Sequence, residues 1–156
     1  MIDTTAMLEL VRDTLAADAR IETFCRTNYS RSIALYLGFN DDKDALSSTA
    51  YPLAEIYSAS RLRGADKHRN IWDVEISAQV VNDTEQSISN GITYTGFLHA
   101  EELRDLIENA LYRAKIASID SAGASGTFSN YPLFEAVTKI RITLIADARS
   151  GISKRL

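Results

Sequence analysis

The chain has 156 residues, a length that fits one domain and lets roughly 68–70% of the unfolded-chain surface be buried without help from a metal or disulfides. Its 17 Lys and Arg against 21 Asp and Glu leave a net charge of −4, which excludes nucleic-acid binding by bulk charge and leaves only local patches open. The single cysteine, Cys25, excludes an internal disulfide and, beside Phe24, reads as a small buried hydrophobe.

Met1-Ile2-Asp3-Thr4-Thr5 carries no basic region ahead of an apolar run, and no apolar stretch approaches the ~20 residues of a membrane span. The expectation is a chain made in the cytosol with no membrane partner. The first element is a helix from about Thr4 to Ala17, capped by Asp3, Thr4 or Thr5, with Met7, Val11 and Leu15 on one stripe. Residues 18–29 keep Ile21 and Phe24 as anchors but lose their period, which predicts a loop or short turn. Ile33, Leu35, Leu37 and Phe39 then alternate with Ala34, Tyr36 and Gly38 as a strand.

Asn40 to Thr49 is a polar stretch of turn formers. Its Asp41, Asp42 and Asp44 lack the spacing of a calcium loop, so a solvated loop is the plainer reading. The next strand starts at Tyr51-Pro52, where a missing donor is tolerated, and runs to Ala59 with apolar residues in both registers. Between it and the following strand, Arg61, Arg63, Lys67 and Arg69 stand against Asp66 alone in a hairpin connection punctuated by Gly64. That basic tip is either solvated or a contact surface for an acidic neighbour or DNA backbone.

Ile71 to Val80 is the most regular strand of the chain. From Trp72 onward every even position is apolar, and Asp73 and Glu75 fall on the outer, wet face. Asn82 to Thr95 is polar and contains Asn90-Gly91 between Ile88 and Ile92, which predicts a small β-arm. A helix follows from about Ala100 to Ala117, with Leu103, Leu106, Ile107, Ala110, Leu111 and Ala114 on one stripe and Leu106 and Ile107 expected in the core. Glu101 and Glu102 open it, and Arg113 and Lys115 close it, in keeping with the helix dipole. Ser118 to Asn130 is small and polar, a surface loop without a nucleophile elbow. The last strand places Phe134, Ala136, Ile140, Ile142, Leu144 and Ala146 on one face, and Glu135, Lys139, Arg141 and Thr143 on the other.

These elements predict an α+β fold over residues 1–156 as one domain. It is a two-layer sandwich: a mainly antiparallel, four-stranded mixed sheet with two helices on one face and charged side chains on the other. A helical crossover should return the last strand parallel to the strand of Trp72. No catalytic spacing stands out, since His68 and His99 have no carboxylate or cysteine placed to make a ligand set or a triad.

In this order the elements resemble the tail terminator proteins of long-tailed bacteriophages, a family close in fold to head-tail joining proteins. The residues that carry the resemblance are Tyr51-Pro52-Leu53-Ala54-Glu55-Ile56-Tyr57 as a proline-led strand and Trp72-Asp73-Val74-Glu75-Ile76 as a long strand with an early Trp. Glu102-Leu103-Arg104-Asp105-Leu106-Ile107 follows as the helix, and Val137-Thr138-Lys139-Ile140-Arg141-Ile142 as the last strand. The resemblance implies a structural virion protein at the head-proximal end of the tail, assembled from the host cytoplasm. It implies a ring of copies of itself, usually six, that stops tube growth. It further implies contacts with the tail tube protein and a head-tail connector protein, DNA passing through the lumen without sequence-specific contacts, and neither cofactor nor catalytic residues. The arm at Asn82 to Thr95 and the loop at Ser118 to Asn130 are longer than in that pattern.

Candidate subunit or partner contacts are Arg61, Arg63, Lys67 and Arg69 of the basic hairpin, with Asp73, Glu75, Lys139 and Arg141 of the outer sheet face. A reading from a different class is a small metal-dependent hydrolase or nuclease using Asp41, Asp42, Asp44, Asp73 and Glu75. Glu75-Ile76-Ser77 counts against it, with serine where such sites commonly carry lysine.

Overall fold

The computed structural model describes residues 2–38, 48–62, 69–118, 126–146 and 153–154. Asp3 starts the first helix by accepting a 2.7 Å hydrogen bond from the Ala6 amide, one of the donors that a helix start leaves without a partner. This helix, α1 (Thr4–Ala16), buries Met7, Val11 and Leu15 as the stripe predicts. Residues 18–29, expected as a loop or short turn, form a second helix instead, α2 (Ala19–Tyr29). Asp18 caps it by accepting from the amides of Arg20 and Ile21 at 3.0 Å, and Ser30 ends it in the left-handed region at φ 58°. Ile21, Phe24 and Cys25 are its buried face at i, i+3, i+4, a stripe too short to stand out from the polar residues around it. Burial pushes the Cys25 thiol up to about 12, which makes it a core hydrophobe.

Strand β1 (Ala34–Leu37) runs parallel to β2 (Leu53–Leu62), and β2 is antiparallel to β3 (Arg69–Val81). The first residues of β2, Leu53 to Ile56, are buried on both faces, which explains why both of its registers are apolar. Tyr57 is then an extra residue between the pairs Ile56 with Ile76 and Ser58 with Glu75. Such a bulge moves the following side chains to the opposite parity, so Ala59 and Arg61 lie on the same face as Ala54 and Ile56.

The arm forms as predicted around Asn90-Gly91, with β4 (Glu85–Ile88) antiparallel to β5 (Gly91–Tyr94) in a ribbon separate from the main sheet. Helix α3 (Thr95–Arg113) begins at Thr95 rather than near Ala100, because no side chain caps it at Tyr94 to announce the start. Gly96 is buried in its first turn, where an added Cβ would lie 2.4 Å from the Phe134 ring. Lys115, at φ 57°, stops the chain short of the expected Ala117 end.

Strands β6 (Ala117–Ser118), β7 (Gly126–Asn130) and β9 (Ser153–Lys154) all pair antiparallel with β8 (Leu133–Ala146), which is antiparallel to β3. The main order is β1-β2-β3-β8-β6. Two expectations are corrected here. Part of the stretch from Ser118 to Asn130, read as a surface loop, is strand β7, whose polar sequence hides its pairing with β8. The last strand is also antiparallel to β3 rather than parallel. The crossover through α3 does return β6 and β7 parallel to β3, but Tyr131 and Pro132 then reverse the chain and β8 inserts between them.

The β3–β8 register places Trp72 opposite Ile142, Val74 opposite Ile140, Ala78 opposite Ala136 and Val80 opposite Phe134. This face packs with the buried stripes of α1, α2 and α3 into one core. Ile107 is fully buried, whereas Leu106, expected beside it, is only partly buried at the edge of the stripe. The Trp72 indole also donates a 3.1 Å hydrogen bond to the Thr4 hydroxyl, tying the strand to the start of α1. The fold is the two-layer α+β sandwich, with three α-helices among the described residues, rather than two, on one face. The four predicted strands stand side by side as β1, β2, β3 and β8.

Candidate functional site

On the sheet face away from the helices, β3 and β8 bring four of the predicted contact residues together. Asp73 lies directly opposite Arg141, and Glu75 directly opposite Lys139. Arg141 grips Asp73 with both ends of its guanidinium, Nε to Oδ1 at 2.9 Å and a terminal nitrogen to Oδ2 at 3.2 Å. The hydrogen bond from Arg141 holds the Asp73 carboxyl below its usual range. Next to this pair, burial and then the hydrogen bond to Glu75 push the Tyr57 phenol up to about 12.

The outer face is not wet throughout. Glu55, Ser77 and Gln79 are buried in a polar network: the Ser77 hydroxyl donates to Glu135 at 2.7 Å, and the Gln79 amide donates to Ser77 at 3.0 Å and to Glu55 at 3.2 Å. The charged strip is therefore confined to the half of the sheet that carries Asp73, Glu75, Lys139 and Arg141. Alternation predicts which residues point outward, but not which of them another part of the chain covers.

Arg61 stands apart from that strip. The bulge at Tyr57 puts it on the helix side, where its guanidinium lies 5.4 Å from the Trp72 ring and donates to Asn70 at 2.5 Å. It is engaged within its own chain. Arg63 and Lys67 lie outside the described residues, and Arg69 is described only as the first residue of β3, paired with Ile145.

Of the carboxylates considered for a metal, the two that are described, Asp73 and Glu75, both lie opposite basic residues. Both Asp73 oxygens accept from Arg141, Glu75 sits across from Lys139, and Asp41, Asp42 and Asp44 lie outside the described residues. Among the described residues no group of three or more His, Cys, Asp or Glu is placed to hold a metal ion. What the strip offers chemically is a row of charges of both signs, one pair of them bonded, suited to recognising a complementary protein surface.

Three further features are a ring cluster, a groove and a set of exposed apolar side chains. His99 meets the Tyr29 hydroxyl at 2.8 Å, its ring edge-on to Phe24 and Tyr29 at 5.5 Å, and burial lowers its pKa. A groove of about 460 Å³ runs between α2 and α3, lined by Ala19, Phe24 and Leu106 among others. Ile88, Ile92, Tyr94, Phe97 and Leu98 are exposed along the arm and the first turn of α3. Tyr94 also packs on Tyr131 at 5.8 Å. The Asn90-Gly91 turn announces the arm, but the groove depends on α2, which the sequence hides.

No protein-family model matches the sequence, and no curated protein matches it either. Among solved structures, the fold is similar to a chain in the virion of a native gene transfer agent particle, at 16% identity and a TM-score of 0.50. The match covers 85% of this chain and 90% of that one.

Proposed function

We propose that this protein is a structural subunit of a phage-like virion and that it acts there as a tail terminator. Copies of the chain form a ring, six by the resemblance, that caps the head-proximal end of the tail tube and stops its growth. One side of the ring meets the tail tube protein and the other a head-tail connector protein, and DNA passes through the lumen without sequence-specific contacts. The observation that carries this reading is the fold likeness to a gene transfer agent virion chain over nearly the whole length of both.

Two features of the chain support it. The strip of Asp73, Glu75, Lys139 and Arg141 is a charged sheet face of the kind that sets partner choice and register. The elements that carry the family resemblance are also the ones that build the sheet and its main helix, in the same order. Catalysis has no part in this reading.

The test is to mix purified protein with tail tubes assembled from the tube protein of the same virus and to image them by electron microscopy. The reading predicts ring-shaped caps at one end and tubes that no longer lengthen when more tube protein is added. Tubes that stay bare and continue to grow would overturn it.

A further inference from the structure

Asn82 follows β3 directly and opens the segment that leads into the arm. Its backbone amide donates to the Pro132 carbonyl at 3.0 Å, and the Thr95 amide donates to the Thr84 carbonyl at 3.1 Å, which fixes the root of the arm to the sheet and to the start of α3. The Tyr131 hydroxyl adds a bond to the Asp83 carbonyl at 3.0 Å. None of these bonds involves a group that titrates near neutral pH.

A further tie does. The Asn82 side-chain oxygen accepts from the Thr84 amide at 2.9 Å, so its nitrogen is the atom that faces Tyr29 on α2, donating to the hydroxyl at 3.5 Å. That hydroxyl lies 2.8 Å from Nδ1 of His99 on α3. Burial pushes the Tyr29 phenol up to about 12, so it keeps its proton, and with the oxygen already receiving from Asn82 that proton goes to Nδ1. The chain therefore runs Asn82 to Tyr29 to His99 and ends on a neutral imidazole with its hydrogen on Nε2.

A proton on Nδ1 reverses the last link. The imidazolium has only donors, so the Tyr29 oxygen would face two of them while its own proton lost its acceptor. The bond from Asn82, at 3.5 Å the longer of the two, is the one to give way. Burial disfavours the charged ring and outweighs the carboxylate of Glu102, farther along α3, which favours it. On α2 the titratable groups beside the ring are Tyr29 and, next to that phenol, Cys25, whose thiol burial also pushes up to about 12; the arm root brings the neutral Asn82 amide.

We propose that His99 is a proton-operated latch on the arm. Neutral, it ties Asn82 to α2 and α3 through the Tyr29 hydroxyl; protonated, it lets Asn82 go and leaves the root held by the sheet and the start of α3 alone. The arm carries the exposed Ile88 and Ile92, so mild acid changes how firmly the molecule presents them. The latch belongs to the single subunit and does not rest on the ring reading. The unfolded chain has the ordinary histidine pKa of about 6.5 and the folded value lies below it, so the fold is at full strength above about pH 6.5 and weakens as pH falls through that value toward the folded one.

NMR of the isotopically labelled full chain, titrated from about pH 8 to about pH 5, tests this in a range where Asp and Glu stay largely ionised. The His99 ring protons should titrate with a midpoint below about 6.5, and the Asn82 side-chain signals and the backbone amides of β4 and β5 should shift with that same midpoint. In Tyr29→Phe, which keeps the ring and removes the hydroxyl, the arm signals should stop moving with pH although His99 still titrates. In His99→Asn, which leaves an acceptor toward Tyr29 but takes up no proton, they should stay still as well. Circular dichroism checks the fold of both, and either variant decides the matter alone if the other unfolds. Wild-type arm signals that ignore the His99 midpoint would overturn the latch, as would arm signals that still shift in either variant.

Discussion

The two faces of β3 carry alternate residues of one strand and do different work. Toward the helices, Trp72, Val74, Ile76, Ala78 and Val80 are buried against β8 and the helical layer. On the other side, Asp73 is paired with Arg141, and Glu75 lies across from Lys139 on the same two strands. The inner face gains its stability from area removed from water. The outer pairs, being partly solvated, contribute little to folding and are left available to discriminate between partners.

The largest effect should come from the inner face. Trp72→Ala removes the largest fully buried side chain of the core together with its bond to Thr4, and should cost about 3–5 kcal/mol in a denaturant melt. Lys139→Ala, on the outer face of the neighbouring strand, should change the same melt by about 0.5 kcal/mol or less. A reversed ranking would mean that the two faces have been exchanged.

Gly96→Ala is the next largest. The methyl would meet the Phe134 ring and the Asn82 side chain, and the overpacking should cost about 1–3 kcal/mol. An unchanged melt would show that the first turn of α3 does not lie against β8 as described.

Asp73→Asn gives the smallest expected change and the most specific signature. The Asp73 carboxyl is held below its usual range by Arg141, so the pair contributes stability above the ordinary carboxylate pKa of about 3.9 and loses it as pH falls through the depressed folded value. The gap between wild type and variant should be constant near neutral pH and close on acidification. A gap that widens in acid would contradict the assignment of that pair.

Legibility followed the same division. The period of β3 and β8 is visible because one face of each is apolar, broken in β8 only at Thr138 opposite Ile76, and the register observed is the one that pairs those faces. The stripe of α3 was readable for the same reason, but its first turn was not, because Gly96 continues the buried stripe without an apolar side chain to mark it and no side chain caps the start. Helix α2 was missed because a surface helix with three buried residues leaves little period to detect, although Asp18 as cap and the Glu22–Arg26 pair at 2.8 Å were signals of it. The outer charged strip was legible residue by residue. Arg61 was not, because the bulge at Tyr57 that turns it onto Trp72 is set by pairing with another strand.

The central claim is that the subunit closes into a ring, and the most direct measurement is the mass of the purified chain by light scattering at high concentration. A closed ring predicts a single species of six times the 17.3 kDa subunit mass. A particle that keeps the mass of one subunit at every concentration would contradict it.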